Sequence, residues 1–349
     1  NMSTINTFAS DNISSACPEV MDALAKANEA NSPSYGEDPW TKDLATGLEE
    51  IFETPVTVFP VTTGTAANAL ALSTLTPAFG KIFCHELAHI NTDECGAPEF
   101  YSGGAKMTLI DGNDGKMSPD ALAKSIAFSS GKDVHRCQAG PVSLSNVTEL
   151  GTVYTLDEIR ALTEIAKAND LPVHLDGARF ANAMVTLGCS AAEMTWKSGI
   201  DAVSFGGTKN GCLGVEAVIF FDPAKAWEFE LRRKRGAHLF SKHRFLSAQM
   251  NAYLTDDLWL DLARASNETG RYLSEGMRKF NSVEISHSVD ANMIFARMPR
   301  ETHRRAQEGG AVYGINGPLD GENDEILSCR LVSDWSNTQA ACDALFKLL

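Results

Sequence analysis

Short apolar runs alternate with helical patterns between residues 56 and 205, and this alternation constrains the fold more than any other feature. Helical patterns cover residues 65–75 and 156–169. Strands that alternate with helices form βαβ units, which build a mostly parallel sheet, and ligands bind such sheets at the carboxyl ends of the strands. The sequence therefore predicts an α/β protein. Its predicted strands are residues 56–61, 81–84, 107–110, 141–145, 173–176 and 202–205.

The pattern changes after about residue 222. Long helical patterns extend to residue 280, and strand-like runs follow at 283–285, 292–297 and 328–332 before a last helix at 338–349. This order predicts a smaller α+β unit at the C-terminal end. We therefore expect a large domain over residues 1–250 and a small domain over residues 251–349.

The charge and the cysteines restrict the partners and the compartment. Acidic residues outnumber basic residues by 45 to 30 in the 349-residue chain, and the net charge of −15 repels nucleic acid and anionic membranes. Residues 1–6 (NMSTIN) lack the basic and apolar parts of a signal peptide, and no apolar stretch approaches the roughly 20 residues of a membrane span. The eight cysteines form no C-x-x-C pair. We expect reduced thiols in a cytoplasmic protein, without nucleic-acid or membrane partners.

Three segments place polar residues after predicted strands. Residues 61–68 (VTTGTAAN) join a strand to a helix, and this arrangement indicates either an anion site at the helix N-terminus or simply a capped helix. Residues 173–179 (VHLDGAR) end an apolar run on Asp176, and a buried carboxylate needs a partner, either Arg179 or a protonated ring nitrogen of a cofactor. Residues 204–211 (SFGGTKNG) place Lys209 among glycines, where a lone lysine is usually solvated.

Together, the three segments predict a pyridoxal phosphate site. A lysine captures the aldehyde of this cofactor as a Schiff base, a carboxylate keeps the ring nitrogen protonated, and a helix N-terminus holds the phosphate. The order of a Gly-Thr turn, an aspartate and then a lysine is that of the aminotransferase-like fold of these enzymes.

The chain resembles the L-threonine aldolases from about residue 8 to residue 336. The segments 8–12 (FASDN), 92–100 (TDECGAPEF) and 205–211 (FGGTKNG) are similar to the bacterial low-specificity and phenylserine aldolase branch. The resemblance implies fold type I, with a seven-stranded, mostly parallel sheet between helices in the cofactor-binding domain. It also implies a carbon-carbon lyase that cleaves threonine-like amino acids reversibly to glycine and an aldehyde. Further matching motifs are SDN at 10–12, YGEDP at 35–39, TGT at 63–65, AH at 88–89, HLDGAR at 174–179 and TK at 208–209.

The resemblance also implies roles for individual residues. Lys209 would carry the cofactor, Asp176 would pair with its ring nitrogen, and His89 would stack on its ring. Arginine side chains would bind the substrate carboxylate, because a planar guanidinium matches it bidentately. We expect no metal. We expect the protein to form a homotetramer that is a dimer of dimers. The cofactor contacts that we expect are Gly64, Thr65, His89, Asp176, Arg179, Thr208, Lys209, Lys234 and Lys242. The substrate contacts that we expect are Ser10, Tyr35, Asp93, His135, Arg179 and Arg330.

Two departures from the family pattern leave alternatives open. Many relatives carry a histidine in Glu-Asn-Thr-His before the aspartate strand, whereas residues 145–149 read SNVTE. The general base is therefore His89, His135 or a bound water. Many relatives also carry Gly-Gly-Gly-x-Arg-Gln where residues 236–242 read GAHLFSK. Lys234 and Lys242 either reach the phosphate of a neighbouring subunit or form a basic helix face.

Residues 85–89 (HELAH) match the H-E-x-x-H pattern of zinc peptidases. On a helix, His85 and His89 would share one face and bind zinc, with Glu86 as the base. The pattern directly follows a strand-like run, however, and the extended pattern fails because Thr92 and Cys95 replace the required Gly and His. A zinc peptidase is a weak alternative.

The other alternative functions are a pyridoxal-phosphate-dependent β-eliminating lyase or aminotransferase, and a binding protein that retains the fold.

Overall fold

A computed structural model of the chain describes residues 6–349. The prediction that the chain has no signal peptide rests on residues 1–6. Residues 1–5 lie outside the described part of the chain. The strands are β1 (Asn6–Thr7), β2 (Thr57–Val61), β3 (Lys81–His85), β4 (Lys106–Ile110), β5 (Val142–Ser145), β6 (Val173–Gly177), β7 (Ala202–Gly206), β8 (Glu216–Phe220), β9 (Glu284–Ile285), β10 (Met293–Pro299), β11 (Ala311–Val312), β12 (Gly314–Asn316) and β13 (Ile326–Val332). The α-helices are α1 (Pro18–Ala27), α2 (Pro39–Phe52), α3 (Gly64–Leu75), α4 (His89–Thr92), α5 (Ala97–Tyr101), α6 (Pro119–Ser129), α7 (Leu156–Ala168), α8 (Phe180–Leu187), α9 (Ala191–Met194), α10 (Ala226–Arg235), α11 (Arg244–Leu254), α12 (Leu258–Met277), α13 (Arg300–Glu308) and α14 (Gln339–Phe346).

Seven strands form the main sheet, in the order β2-β8-β7-β6-β5-β3-β4. The pairs from β7 to β4 are parallel, whereas β8 runs antiparallel to both β7 and β2. The carboxyl ends of β2, β3, β5, β6 and β7 therefore meet at one edge. This mostly parallel sheet agrees with the prediction, and every predicted strand begins and ends within two residues of an observed one.

Both faces of the main sheet are covered. Strands β3, β6, β7 and β8 are buried at every position. Alternate residues of β8 face two different apolar clusters: Ala217 and Ile219 belong to one, and Val218 and Phe220 to the other. Burial on both faces explains why these strands read as continuous apolar runs without a polar alternation.

Helix α3 lies between the sheet and neighbouring helices. Residues 66–75 are all buried, and many of them are alanines that allow close packing against β7 and β8. The helix begins directly after β2, where the Thr63 hydroxyl accepts the N–H of Ala66 at 3.0 Å as an N-cap. The N-terminus of α3 is thereby fixed at the edge where the parallel strands end.

The second sheet has the antiparallel order β12-β13-β10-β9 and its own apolar cluster. The start of the described chain packs against this part, because β1 pairs with β11 and the Phe8 carbonyl accepts the N–H of Val332 at 2.8 Å. Residues 6–8 therefore lie with the C-terminal sheet. The domain boundary near residue 250 stays a prediction.

Candidate active site

A cavity of about 320 Å³ lies at the edge of the main sheet where the parallel strands end. The loops after β2, β3, β5, β6 and β7 all contribute to its wall, as expected for an α/β sheet. Seven of the residues predicted from the sequence line it together. They are Gly64, Thr65, His89, Asp176, Arg179, Thr208 and Lys209.

The N-terminus of α3 forms one wall of the cavity. Because Thr63 caps only the N–H of Ala66, the N–H groups of Gly64 and Thr65 have no intrahelical partner. Thr208 lies on the adjacent loop, where its hydroxyl accepts the N–H of Val215 at 3.1 Å. Free N–H groups and the helix dipole make this wall suited to an anion such as a phosphate.

Lys209 lies in the short 3₁₀ turn Thr208–Asn210 after β7. The positive charge of Arg179 is the largest cause that lowers the pKa of Lys209, and burial lowers it further, whereas Asp11, Asp176 and Glu216 oppose the shift. A lower pKa increases the fraction of neutral amine at neutral pH. The neutral amine is the form that attacks an aldehyde.

Asp176 ends β6 and is buried at the cavity. Its Oδ2 accepts from the Asn68 side chain at 3.0 Å, and its Oδ1 accepts from the N–H of Ala178 at 3.0 Å. Arg179, one of the two partners that the sequence allowed, does not pair with it. Within residues 6–349, no cationic side chain comes within 4.0 Å of this carboxylate.

The Arg179 guanidinium instead holds Asp11 in a bidentate pair. Nε donates to Oδ2 at 2.7 Å and Nη2 to Oδ1 at 2.8 Å, and Asn292 donates to the same carboxylate at 3.0 Å. Although burial opposes it, the contact with Arg179 lowers the pKa of Asp11. The pair joins the N-terminal segment to the loop after β6.

His89 begins α4 beside the cavity, and its ring contacts Glu94. The distance from Nδ1 to Glu94 Oε1 is 2.7 Å, and this hydrogen bond is the main cause that raises the pKa of His89. The backbone N–H of His89 donates to Glu149 Oε1 at 3.0 Å, and the same oxygen accepts from the Ser145 hydroxyl at 2.6 Å. Glu94 therefore holds the ring of His89, and Glu149 holds its backbone.

Three predicted substrate contacts, Ser10, Asp93 and Arg330, lie outside the cavity wall. Ser10 caps the turn Asp11–Ile13, where its hydroxyl accepts the N–H of Asn12 at 3.1 Å. Arg330 on β13 donates to the carbonyl of Ala9 at 3.3 Å. Partial burial, followed by the charge of Arg179, lowers the pKa of Arg330, whereas Asp11 and the exposed Asp93 oppose this shift. Through its contact with Ala9, Arg330 lies close to Asp11 and thus to Arg179.

Four other predicted contacts do not line the cavity of this chain. Tyr35, Lys234 and Lys242 are exposed, and Lys234 Nζ lies 5.2 Å from the centroid of the Tyr35 ring. His135 lies in an exposed loop before β5, next to the bridge between Gln138 and Gly80. This loop is at the amino-terminal edge of the sheet, opposite the cavity. Within one chain, His135 is therefore not brought to the site, contrary to the prediction.

The HELAH segment does not have the geometry of a zinc peptidase. His85 ends strand β3, and only His89 belongs to a helix. Both ring nitrogens of the buried His85 are used, since Nδ1 accepts the N–H of Leu87 at 3.1 Å and Nε2 lies 2.9 Å from the carbonyl of Gly112. The two histidines therefore cannot act as neighbouring ligands on one helix face.

Several polar residues of the site had no assigned role from the sequence. Asp11, Asn68, Glu94 and Glu149 all lie in segments that the sequence analysis singled out. The fifth, Glu216, opens β8, where an acid within an apolar run was the available signal. It accepts the N–H of Gly207 at 2.8 Å, and burial raises its pKa to about 7.

Solved structures show the class of the fold. A threonine aldolase from Leishmania major superimposes with a TM-score of 0.90 over 98% of both chains, at 24% identity. A serine palmitoyltransferase from S. paucimobilis with bound PLP (pyridoxal phosphate) superimposes with a TM-score of 0.69 over 98% of this chain and 85% of the other, at 17% identity. The chain therefore has the fold of the fold-type I class. The predicted fold class is confirmed.

Sequence comparison identifies the family within this class. The β-eliminating lyase family matches residues 7–299. Low-specificity L-threonine aldolases from Pseudomonas aeruginosa and another Pseudomonas strain are each 43% identical over 291 residues, which is 83% of this chain and 84% of the relative. The chain therefore belongs to the β-eliminating lyase family, and within it to the low-specificity L-threonine aldolases.

The residues of the cavity fit pyridoxal phosphate on two observations. Asp176 is a buried carboxylate without a cationic partner within residues 6–349, as a pyridinium nitrogen requires. A Cβ atom added to Gly64 would meet no atom of the described chain within 4 Å, so space remains at the helix N-terminus. Both ends of the cofactor thus have a matching group.

We predict that Gly64→Ala weakens pyridoxal phosphate binding by about tenfold or more, or roughly 1.4 kcal/mol, because the added methyl occupies the anion space. The free energy of unfolding of the cofactor-free chain should change by less than about 0.5 kcal/mol. Equilibrium dialysis and urea unfolding measure the two quantities. Gly47→Ala in α2 is the matched control, because its Cβ also meets nothing within 4 Å. Equal cofactor affinity in all three proteins would contradict the placement of the phosphate.

Proposed function

We propose that this chain cleaves L-threonine, L-allo-threonine and related β-hydroxy-α-amino acids, including phenylserine, reversibly to glycine and an aldehyde. The observation that carries the proposal is the meeting of Lys209, Asp176 and the α3 N-terminus at one cavity, with the His89–Glu94 pair beside it. The names of the Pseudomonas relatives support the same substrate class.

The cofactor contacts follow from the fit of the cavity. Pyridoxal phosphate, when bound, supplies the electron sink for the Cα–Cβ bond that breaks. Asp176 would pair with its ring nitrogen, and Lys209 would hold its aldehyde carbon. His89 would cover its ring. Its phosphate would be held by Gly64, Thr65 and Thr208.

We assign the role of general base to His89. Its Nδ1 is occupied by Glu94, so Nε2 is the atom that takes the proton of the substrate β-hydroxyl. The Glu94 carboxylate stabilises the imidazolium that results. The position of His135 at the opposite edge of the sheet supports this choice within one chain.

The substrate carboxylate would be bound by Arg330 and Arg179. Asp11 occupies Nε and Nη2 of Arg179, whereas the described contacts of Arg330 are limited to the Ala9 carbonyl. Arg330 thus has more free donors and would supply most of the binding. Ser10, which precedes the Arg179 partner Asp11, and Asp93 would shape the entrance.

We propose a cytoplasmic homotetramer, a dimer of dimers. All eight cysteines, which lie within residues 6–349, are free thiols, and this supports a reducing compartment. Trp227 and Leu231 are exposed on α10, the helix of Lys234, and Phe240 is exposed in the loop after it, as an apolar subunit interface would require. In the tetramer, Tyr35, Lys234 and Lys242 would reach the site of a neighbouring subunit, and His135 would do so only through such a contact.

The subunit count is checked by light scattering of the purified protein, and its location by cell fractionation. We expect four times the chain mass and recovery in the cytoplasmic fraction. A monomeric mass would contradict the shared site.

The function is tested by Lys209→Ala. We expect the loss of the visible absorption of bound pyridoxal phosphate and a fall in glycine formation from threonine of at least roughly 10³-fold, as for removal of a covalent catalytic group. Lys124→Ala, an exposed lysine of α6, should behave as the wild-type protein. If the wild-type protein forms a keto acid and ammonia from threonine instead of glycine and acetaldehyde, the result favours β-elimination and rejects the aldolase function.

The carboxylate site is tested by Arg330→Ala. We expect KM for threonine to rise about 10- to 100-fold, because hydrogen bonds to a charged group contribute about 1.5–3 kcal/mol, with a smaller change in kcat. Arg297→Ala is the matched control, since Arg297 is an exposed arginine on the adjacent strand β10. An unchanged KM would remove Arg330 from the site.

A further inference from the structure

We propose that Asn68 and Glu94 are positioning residues for the proton-accepting histidine, and that they join His89 to Asp176 in one hydrogen-bonded chain. The inference rests on the proposed function, because that function gives His89 its role as base. It adds the reason why one nitrogen of His89 is available to the substrate, and it assigns a task to the asparagine one turn into α3.

Asn68 is the centre of the chain of hydrogen bonds. It is buried, and its Nδ2 lies 2.9 Å from Glu94 Oε1 and 3.0 Å from Asp176 Oδ2. An amide nitrogen carries two N–H groups, so both are used. The opposite orientation of the amide would place its oxygen against two carboxyl oxygens, so the contacts fix which atom is nitrogen. Each acid therefore presents an acceptor oxygen to Asn68.

The tautomer of His89 follows from the same contacts. Glu94 Oε1 accepts from Asn68 and also lies 2.7 Å from His89 Nδ1. Because this oxygen acts as an acceptor, Nδ1 must carry the proton. In the neutral ring, Nε2 then holds the lone pair. The backbone N–H of His89 is held separately by Glu149, so the ring and its backbone are both fixed.

The charges around His89 show what Glu94 contributes. The charged groups that affect its ring are Glu94 and Asp176, which raise the pKa of His89, and Lys209, which lowers it. Glu149 contacts the backbone N–H. The Glu94 side chain is fully buried, whereas 42% of the His89 side chain is exposed. The negative charge of Glu94 is therefore close and poorly screened, and it makes His89 a stronger base.

Asn68 keeps that charge on Glu94. Burial and the nearby Asp176 both raise the pKa of Glu94, while the hydrogen bonds from His89 and Asn68 lower it. Glu94 Oε2 has no partner within residues 6–349. Without the amide between them, two buried carboxylates would face each other, and Glu94 would bind a proton more readily. His89 would then lose its charged partner.

The test is nitrogen NMR of the full-length protein labelled at histidine, with and without pyridoxal phosphate. The His89 signals are assigned by their loss in His89→Gln. We expect the neutral ring of the wild-type protein to carry its proton on Nδ1. Glu94→Gln keeps an acceptor oxygen but loses the charge, so the pKa of His89 should fall by about one unit or more. Asn68→Ala should lower it in the same direction.

Glu99→Gln is the matched control. Glu99 lies in α5, five residues after Glu94, and within residues 6–349 it makes no hydrogen bond to His89. This variant should keep the wild-type titration of His89 and wild-type activity. In Glu94→Gln and Asn68→Ala, kcat should fall, its acidic limb should move to lower pH by the NMR shift, and KM should stay within about twofold.

The outcomes separate this inference from the proposed function. A proton on Nε2 of the neutral wild-type ring, or an unchanged pKa of His89 in both variants, would overturn the inference, even if the wild-type protein forms glycine. If an Asn68 variant fails to fold, the wild-type tautomer and Glu94→Gln still decide. A wild-type protein that forms no glycine would reject the proposed function, while the NMR titration would still support or overturn the contacts.

Discussion

The burial of helix α3 against the main sheet is the constraint on which the site depends. Its alanine-rich surface packs closely on β7 and β8, so its first turn cannot shift relative to the strand ends. This rigid helix therefore fixes the positions of the free N–H groups of Gly64 and Thr65. It also fixes the position of Asn68 next to Asp176. The helix itself therefore sets the spacing between these free N–H groups and the Asp176 carboxylate.

The cavity contains more acidic than basic side chains, and their arrangement explains its chemistry. Asp11 is neutralised by Arg179, but Asp176, Glu94, Glu149 and Glu216 depend on hydrogen bonds. Burying carboxylates in this way is costly unless a cation is added. A protonated pyridine ring is such a cation. The site is thus electrostatically prepared for a ligand that brings positive charge to one wall and negative charge to another.

Much of this arrangement could be predicted from the chain alone. The strands are continuous apolar runs, and Gly64, Asp176 and Lys209 each follow one of them, so their meeting at one edge follows from parallel pairing. Helices α1, α2, α6, α8 and α13 were not predicted. Strand β8 was also missed, because its antiparallel return depends on pairing with β2 and β7. The local sequence pattern does not specify which strands pair with one another.

The side-chain contacts were harder to predict. Asp11 and Arg179 are separated by 168 residues, and Asn68 and Asp176 by 108, so no spacing rule connects them. His85 illustrates the opposite case. It matches the residue types of the H-E-x-x-H motif, but it lies at the end of a strand, and backbone groups bond both of its ring nitrogens. His135 was an alternative for the base because the family histidine is missing, but its loop lies before β5 and so at the other edge.

The path of residues 6–11 has a mechanical consequence. Residues 6–8 are bonded to the C-terminal sheet, whereas the Asp11 side chain is bonded to the loop after β6. Only Ala9 and Ser10 lie between these two anchors, and an extended chain spans only about 3.5 Å per residue. The segment acts as a short tether between them. The Cα atoms of Phe8 and Asp11 can separate by no more than roughly 10 Å, so a larger opening of the C-terminal sheet away from the main sheet would pull directly on Arg179.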